Sequence, residues 1–140
     1  MVAPNRWETD MLGDRNALAT IAVSDIEVAR KFYEETLGFQ HNGPRQRGVL
    51  LYSSGATMFL VYSSQYAGTN QATSASWDAG DEIDSIVQTL RARGVTFEHY
   101  YDMPDTTLEG DIHVSGGMRT AWFKDPDENI LNLFSSGQGK

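Results

Sequence analysis

Three histidines, an arginine after a glycine pair and an asparagine inside an apolar strand are the side chains of this 140-residue chain best suited to chemistry. His113 follows Glu109 and Asp111, and an imidazole with two carboxylates is a possible set for a divalent ion; the alternative is a solvated acidic loop. His99 stands beside Glu98 and Tyr101, which together offer acid–base groups at close spacing. His41 falls beside Gly43-Pro44 and reads as a surface or interface histidine. Arg119 follows Gly116-Gly117-Met118, and its planar fork suits a carboxylate or phosphonate; the competing reading is a solvated or ion-paired arginine among 19 acidic residues. Asn132 shares a strand face with Ile130 and Phe134, either as a satisfied amide at a sheet edge or as a residue lining a cavity. No nucleophile–base spacing, phosphate-cradling glycine loop or dinucleotide fingerprint is present, and the serines fall in turns and at strand ends.

Composition limits what those groups can serve. A hydrophobic content of 40% with 11% aromatics is enough for one globular domain, or two small halves around one core. A formal charge of −8 argues against a nucleic-acid partner, because phosphate binding needs clustered Lys and Arg. No run is long and apolar enough to cross a membrane, and Met1–Asn16 reads as a polar leader without a signal-peptide core. Without cysteine there is no disulfide or thiol chemistry. A cytoplasmic location is the expectation.

The elements that must position these groups come in one pattern, repeated. Leu18–Val23 reads as a strand, and Ser24-Asp25-Ile26-Glu27 fits a capping box with serine at the N-cap. Ile26, Ala29, Phe32/Tyr33 and Leu37 lie on one stripe of the following helix, and Gly38 ends it. Phe39–Asn42 is a short strand, and Val49–Ser53 with Thr57–Ser63 forms a hairpin through Ser54-Gly55. The second half begins with a strand over Ala72–Asp78. Asp81 is the expected cap of a helix carrying Ile83, Ile86, Val87 and Leu90, which Gly94 terminates. Val95–Tyr101 is a strand, Asp102–Gly117 a long loop, and Met118–Lys124 with Ile130–Phe134 a hairpin around Asp125-Pro126-Asp127-Glu128-Asn129. Pro126 and Asn129 favour that reversal. Each half therefore runs strand, helix, three strands, which points to a duplicated unit.

The segments VSDIEVARKFYEETLGF (23–39), IDSIVQTLRARGV (83–95) and FKDPDENILNLF (123–134) resemble the vicinal oxygen chelate superfamily. That group includes glyoxalase I, fosfomycin-modifying enzymes, extradiol dioxygenases and bleomycin-resistance binding proteins. The resemblance implies an α+β fold in which two βαβββ units, 17–64 and 72–135, form a cupped eight-stranded mixed sheet with helices outside, followed by a tail at 136–140. It also implies commonly paired chains, so a homodimer is expected.

Metal-dependent members of that superfamily hold a divalent ion with His, Gln and Glu on the cupped face. The matching positions here are Leu18, Leu60, Ala75 (give or take one residue) and Asn132, which do not form a ligand set. The expectation is no metal and no cofactor. Leu18, Thr20, Met58, Leu60, Tyr62, Trp77, Tyr101, Arg119 and Asn132 become candidate ligand-binding residues for a flat or partly apolar organic molecule; the alternative is that the apolar ones merely fill the space between units. The expected function is sequestering or sensing such a molecule. The alternative is a lyase, isomerase or dioxygenase-like enzyme with displaced metal ligands, or with metal-free acid–base chemistry at His99, Tyr101 or Glu98. Glu128 departs from the glycine usual after DPD in the superfamily. Asp102–Gly117, at 16 residues, is expected to act as a mobile lid.

Overall fold

The computed structural model describes residues 12–43 and 46–135; the first eleven residues of the leader, Pro44 and the tail 136–140 lie outside them. The first unit contains β1 (Ala19–Val23), α1 (Ile26–Arg30), β2 (Gln40–His41), β3 (Val49–Ser54) and β4 (Thr57–Ser63). These strands form one mixed sheet in the order β1-β4-β3-β2, with β1 parallel to β4. The second unit contains β5 (Thr73–Asp78), α2 (Ile83–Ala92), β6 (Phe97–Glu98), β7 (Thr107–Glu109), β8 (Ile112–Ser115), β9 (Met118–Lys124) and β10 (Ile130–Ser135). Its six strands run β5-β10-β9-β8-β7, and β6 pairs with the far end of β9.

The α+β class and the doubled order agree with the sequence reading. The ladders, however, divide into sheets of four and six strands rather than one sheet of eight. β1 and β5 pack side by side at the seam. The extra strands come from the segment expected to be a loop and lid. Around Gly110, which takes φ +64, residues 107–109 pair with 112–114, and β8 continues the sheet beyond β9. Ile112 and His113 are buried there. The pattern was missed because this hairpin is short and its apolar positions are spaced by glycine and acid.

Local details depart from the sequence reading at the helix starts. Asp25, not Ser24, caps α1: its carboxylate accepts from the backbone N–H of Glu27 and Val28 at 3.0 and 3.3 Å. Ser24 instead donates its backbone N–H to Asp127 of the second unit at 3.0 Å. α1 widens into a π-helical turn over Lys31–Thr36, where Tyr33 is fully buried. Asp81 lies within a 3-10 turn, Gly80–Glu82, that leads into α2 without a side-chain cap. Of the expected strand over 95–101, only Phe97–Glu98 pairs, because β8 takes the edge of β9 over Met118–Thr120 and β9 ends at Lys124.

The core lies between each sheet and its helix. Ile21, Val23, Tyr52, Phe59 and Val61 face α1, while Ile83, Val87, Phe123, Leu131 and Leu133 meet around α2. Alternation does the sorting: in β10, Leu131, Leu133 and Ser135 are buried and the residues between them half-exposed. Each sheet therefore has a helix-side face and an opposite, open face.

The DPDEN turn bolts the units together. Asp125 is buried, and its Oδ2 accepts from the Tyr33 hydroxyl and the Asn129 amide, each at 2.8 Å. Its Oδ1 accepts from the backbone N–H of Asp127 and Asn129, each at 2.9 Å. Asn129 also donates to the carbonyl of Ala22 on β1 at 2.7 Å. Glu128, rather than Asn129, takes the left-handed backbone, at φ 68. The linker between units passes over this turn at Gly68 (φ +75), where an added Cβ would meet the Asp127 carbonyl oxygen at 2.3 Å.

Candidate functional site

Among the described residues a large pocket lies on the open face of the second sheet. It encloses about 650 Å³ and is roofed along one side by the linker residues Gly68–Thr73. Its walls are Trp122 and Lys124 of β9, Ile130 of β10, Glu98 of β6, and Tyr100 and Met103 just beyond β6, with Glu128 at the rim. The β9–β10 register explains the grouping: Asn132 faces Trp122 and Ile130 faces Lys124, so these side chains share one face. The β6–β9 pairing adds Glu98 opposite Trp122.

The aromatic walls are held from behind. The Trp122 indole donates to the Thr73 hydroxyl at 3.1 Å, which fixes the ring plane. Tyr100 meets it edge-on, with centroids 5.3 Å apart. His113 packs against both rings, 5.0 Å from Trp122 and 5.8 Å from Tyr100. The backbone N–H of Tyr100 donates to His113 Nε2 at 2.9 Å, so that nitrogen carries no proton. Nδ1 lies 3.3 Å from the Thr120 carbonyl and carries the hydrogen. Burial lowers the imidazole pKa, consistent with a neutral ring. Burial, and then the charge of Glu98, raises the Tyr100 phenol, which stays protonated near neutrality.

His113 gives a pH prediction. A histidine with a depressed folded pKa contributes stability above its unfolded value and loses it as pH falls through the folded one. The His113 share of stability should decline from about pH 6.5 downward. His113→Gln should flatten that part of a melting-temperature profile between pH 7.5 and 5. An unchanged slope in the variant would mean that His113 is not the group responsible.

The sequence-selected residues separate into three groups. Thr20, Met58, Leu60 and Tyr62 do share the open face of the first sheet, where Thr20 and Leu51 flank Leu60 in the ladders. Leu18 precedes β1 and is exposed. Tyr101 is 79% exposed and belongs to a shallower hollow of about 500 Å³ with His99, Met103 and Pro104.

Trp77 and Arg119 are corrections. Trp77 pairs with Leu133, and Ala75 with Leu131, so both point to the helix side, away from Asn132. Trp77 packs 5.4 Å from Phe39 and 5.6 Å from Phe59, inside the first unit's aromatic core. Ser76 is the residue beside Asn132. Arg119 also points to the helix side, with Ala121 and Phe123, and its fork grips Asp84 of α2 at 2.8 and 2.9 Å. Asp84 is exposed and Arg119 half-buried, so water screens the pair and it should contribute about 1 kcal/mol or less. A double-mutant cycle with Arg119→Ala and Asp84→Ala should find that coupling in urea unfolding, with the open-face pocket unaltered. A several-fold change in pocket affinity in the Arg119 variant would return it to the site.

At the superfamily's ligand positions Leu60, Ser76 and Asn132 present no imidazole or carboxylate, and among the described residues no three His, Cys, Asp or Glu side chains form a group that could hold a metal. The side chains of the loop set have other partners. Both His113 nitrogens are engaged, and Asp111 accepts from His99 at 2.7 Å and from Arg91. Burial raises the Asp111 carboxyl, but those two hydrogen bonds outweigh it and hold the pKa below the usual range. Asn132 is neither at an edge nor satisfied: β10 lies between β5 and β9, and its buried Oδ1 has no hydrogen-bond partner.

Sequence reasoning missed Trp122, Lys124, Tyr100 and Met103 as pocket residues, and had Glu98 only as an acid–base candidate. Counting the hairpin outward from the DPDEN turn would have put Trp122 across from Asn132. No sequence signal marks the linker as a wall, since its placement depends on the Gly68 approach to the turn.

Comparison with known proteins gives a consistent relationship. The family model described as Glyoxalase/Bleomycin resistance protein/Dioxygenase superfamily matches residues 16–133. A lactoylglutathione lyase from Agrobacterium tumefaciens is similar in structure, with 16% identity, a TM-score of 0.64, and 86% of this chain and 93% of that one covered. An antibiotic-binding protein from Streptomyces sp. CB03234 shows 22% identity and a TM-score of 0.54, over 86% and 95%. A genomically encoded fosfomycin resistance protein from Listeria monocytogenes shows 14% identity and a TM-score of 0.58, over 86% and 89%. At these identities the likeness is one of fold. No curated protein matches the chain in sequence. No helix among the described residues is long and apolar enough to cross a membrane.

Proposed function

Because this chain belongs to the Glyoxalase/Bleomycin resistance protein/Dioxygenase superfamily, we propose that it binds a small, flat organic molecule on the open face of its second sheet, without a metal at the superfamily's ligand positions. The observation that carries this reading is the 650 Å³ pocket walled by Trp122, Tyr100, Met103 and Ile130. Its volume is that of a drug-sized ligand site, and fixed aromatic walls favour stacking of a planar ring system. Lys124, Glu98 and Glu128 supply polar contacts that orient the ligand. Similarity to an antibiotic-binding protein supports binding as the function, with sequestration needing no chemistry on the ligand.

The test uses three fused-ring probes of different charge: 2-naphthol, naphthalene-2-sulfonate and acridine orange. Equilibrium dialysis against chelator-treated protein should show saturable binding of at least one, with affinity unchanged when zinc, manganese or magnesium is restored. Binding that appears only with a divalent ion would overturn the metal-free reading. Failure of all three probes to bind would overturn the choice of ligand class.

A further inference from the structure

We infer that the helix-side cleft between the two units is a second ligand site, suited to an uncharged apolar molecule about the size of a monocyclic aromatic hydrocarbon. The cleft measures about 180 Å³. Leu37 and Phe39 of the first unit form one wall, Ile86 and Leu90 of α2 the other, over a floor of Phe123 and Leu133. Trp77 completes it, and its one polar atom is already used: Nε1 donates to the Ser54 hydroxyl at 3.1 Å. No charged side chain lines the cleft, in contrast to the open-face pocket with Lys124, Glu98 and Glu128.

Volume and chemistry select the occupant. An enclosed apolar cavity of about 150 Å³ takes up benzene or xenon, and the apolar walls of this cleft offer a guest of that size similar contacts. A polar guest would lose about 1–3 kcal/mol for each group left unpaired against those walls. A helix or strand of another protein is too wide for this volume. Arg93, three residues beyond Leu90, donates to the Thr36 carbonyl at 2.9 Å, beside Leu37, and so ties the two walls together at this end. Phe123 and Leu133 at the floor and Leu90 in the wall are buried, while Leu37, Phe39, Trp77 and Ile86 are half-buried, so the cleft runs from the surface down to the core. Since its walls come from both units, an occupant stabilises their packing by an amount that grows with the logarithm of its free concentration once that exceeds its Kd. This site is independent of the open-face pocket, and its test does not rely on that proposal.

The experiment is a titration of methyl-labelled (Leu, Ile) protein with toluene, followed by NMR. Saturable shifts are expected at Leu37, Ile86, Leu90 and Leu133, with Leu51 and Leu60 unmoved, and the melting temperature should rise with toluene concentration. Ile86→Trp, at a half-buried position, should fill the space and weaken toluene at least tenfold; Leu37→Phe provides a second filling variant should the first misfold. The inference is overturned by shifts that never saturate up to toluene's solubility, by shifts centred on the open face, or by tight binding that persists in a folded filling variant. Protection of the same methyls by self-association at high protein concentration would also overturn it, assigning the cleft to a second copy of the chain.

Discussion

Replacing Asp125 by alanine should lower the free energy of unfolding by about 3–5 kcal/mol, the largest single-residue effect expected in this protein. Four donors converge on that carboxylate: the Tyr33 hydroxyl, the Asn129 amide and two backbone N–H groups. Removing the acceptor leaves them buried together without a partner, at about 1–3 kcal/mol for each that water cannot reach. The effect also crosses the unit boundary, because Tyr33 belongs to the first unit and Asp125 to the second. Tyr33→Phe removes one donor and keeps the ring, so it should cost only about 1 kcal/mol. Urea unfolding of both variants measures this directly. A loss below about 1 kcal/mol for Asp125→Ala would show that the turn is not what holds the units together.

The pH behaviour of the same residue runs against the usual carboxylate. Burial raises the Asp125 pKa, although the hydrogen bonds from Asn129, Tyr33 and Asp127 lower it in part. An acid with a raised folded pKa favours the folded state most when protonated, and loses that contribution as pH rises through the folded value. Titration of Asp125 therefore does not drive acid unfolding. Asp111, held low by His99 and Arg91 against the effect of burial, works in the opposite direction, and its contribution is lost as pH falls below the ordinary carboxylate range.

Trp122→Ala should weaken whichever fused-ring probe binds by about 100-fold, equivalent to a central hot-spot residue. The indole is the largest apolar wall of the open-face pocket, and its plane is fixed before the ligand arrives by the bond to Thr73. Thr73→Val keeps the wall but frees the indole, so a smaller loss of about threefold to tenfold is expected. Met58→Ala, on the open face of the other sheet, serves as the control and should leave affinity unchanged. Equal binding by wild type and the Trp122 variant would remove the pocket from consideration. A matching loss in the Met58 variant would move the site to the first sheet or to the seam.

Most of the elements and their doubling are legible in local residue patterns. Alternation in Ile130–Ser135 and the 3.6-residue stripe over Ile83–Leu90 are local patterns, and local sterics and burial decide them in any context. The turn at 125–129 was legible for the same reason, and so was the lack of imidazole and carboxylate at 60 and 132, which depends on residue type alone. Only tertiary structure decided which face each strand shows to which neighbour. Trp77 is expected on the ligand face, but the parallel register of β5 on β10 turns it into the aromatic core, and of the two readings of Arg119 the ion-paired one holds, with Asp84 on α2 gripping it behind the sheet. A shift of one residue reverses a strand's faces, and register is a property of the pair rather than of either segment. The hairpin at 107–115 and the linker wall at Gly68 follow the same principle. Each is placed by a neighbour distant in the chain: β9 for the hairpin, and for the linker the 125–129 turn that Gly68 approaches closely.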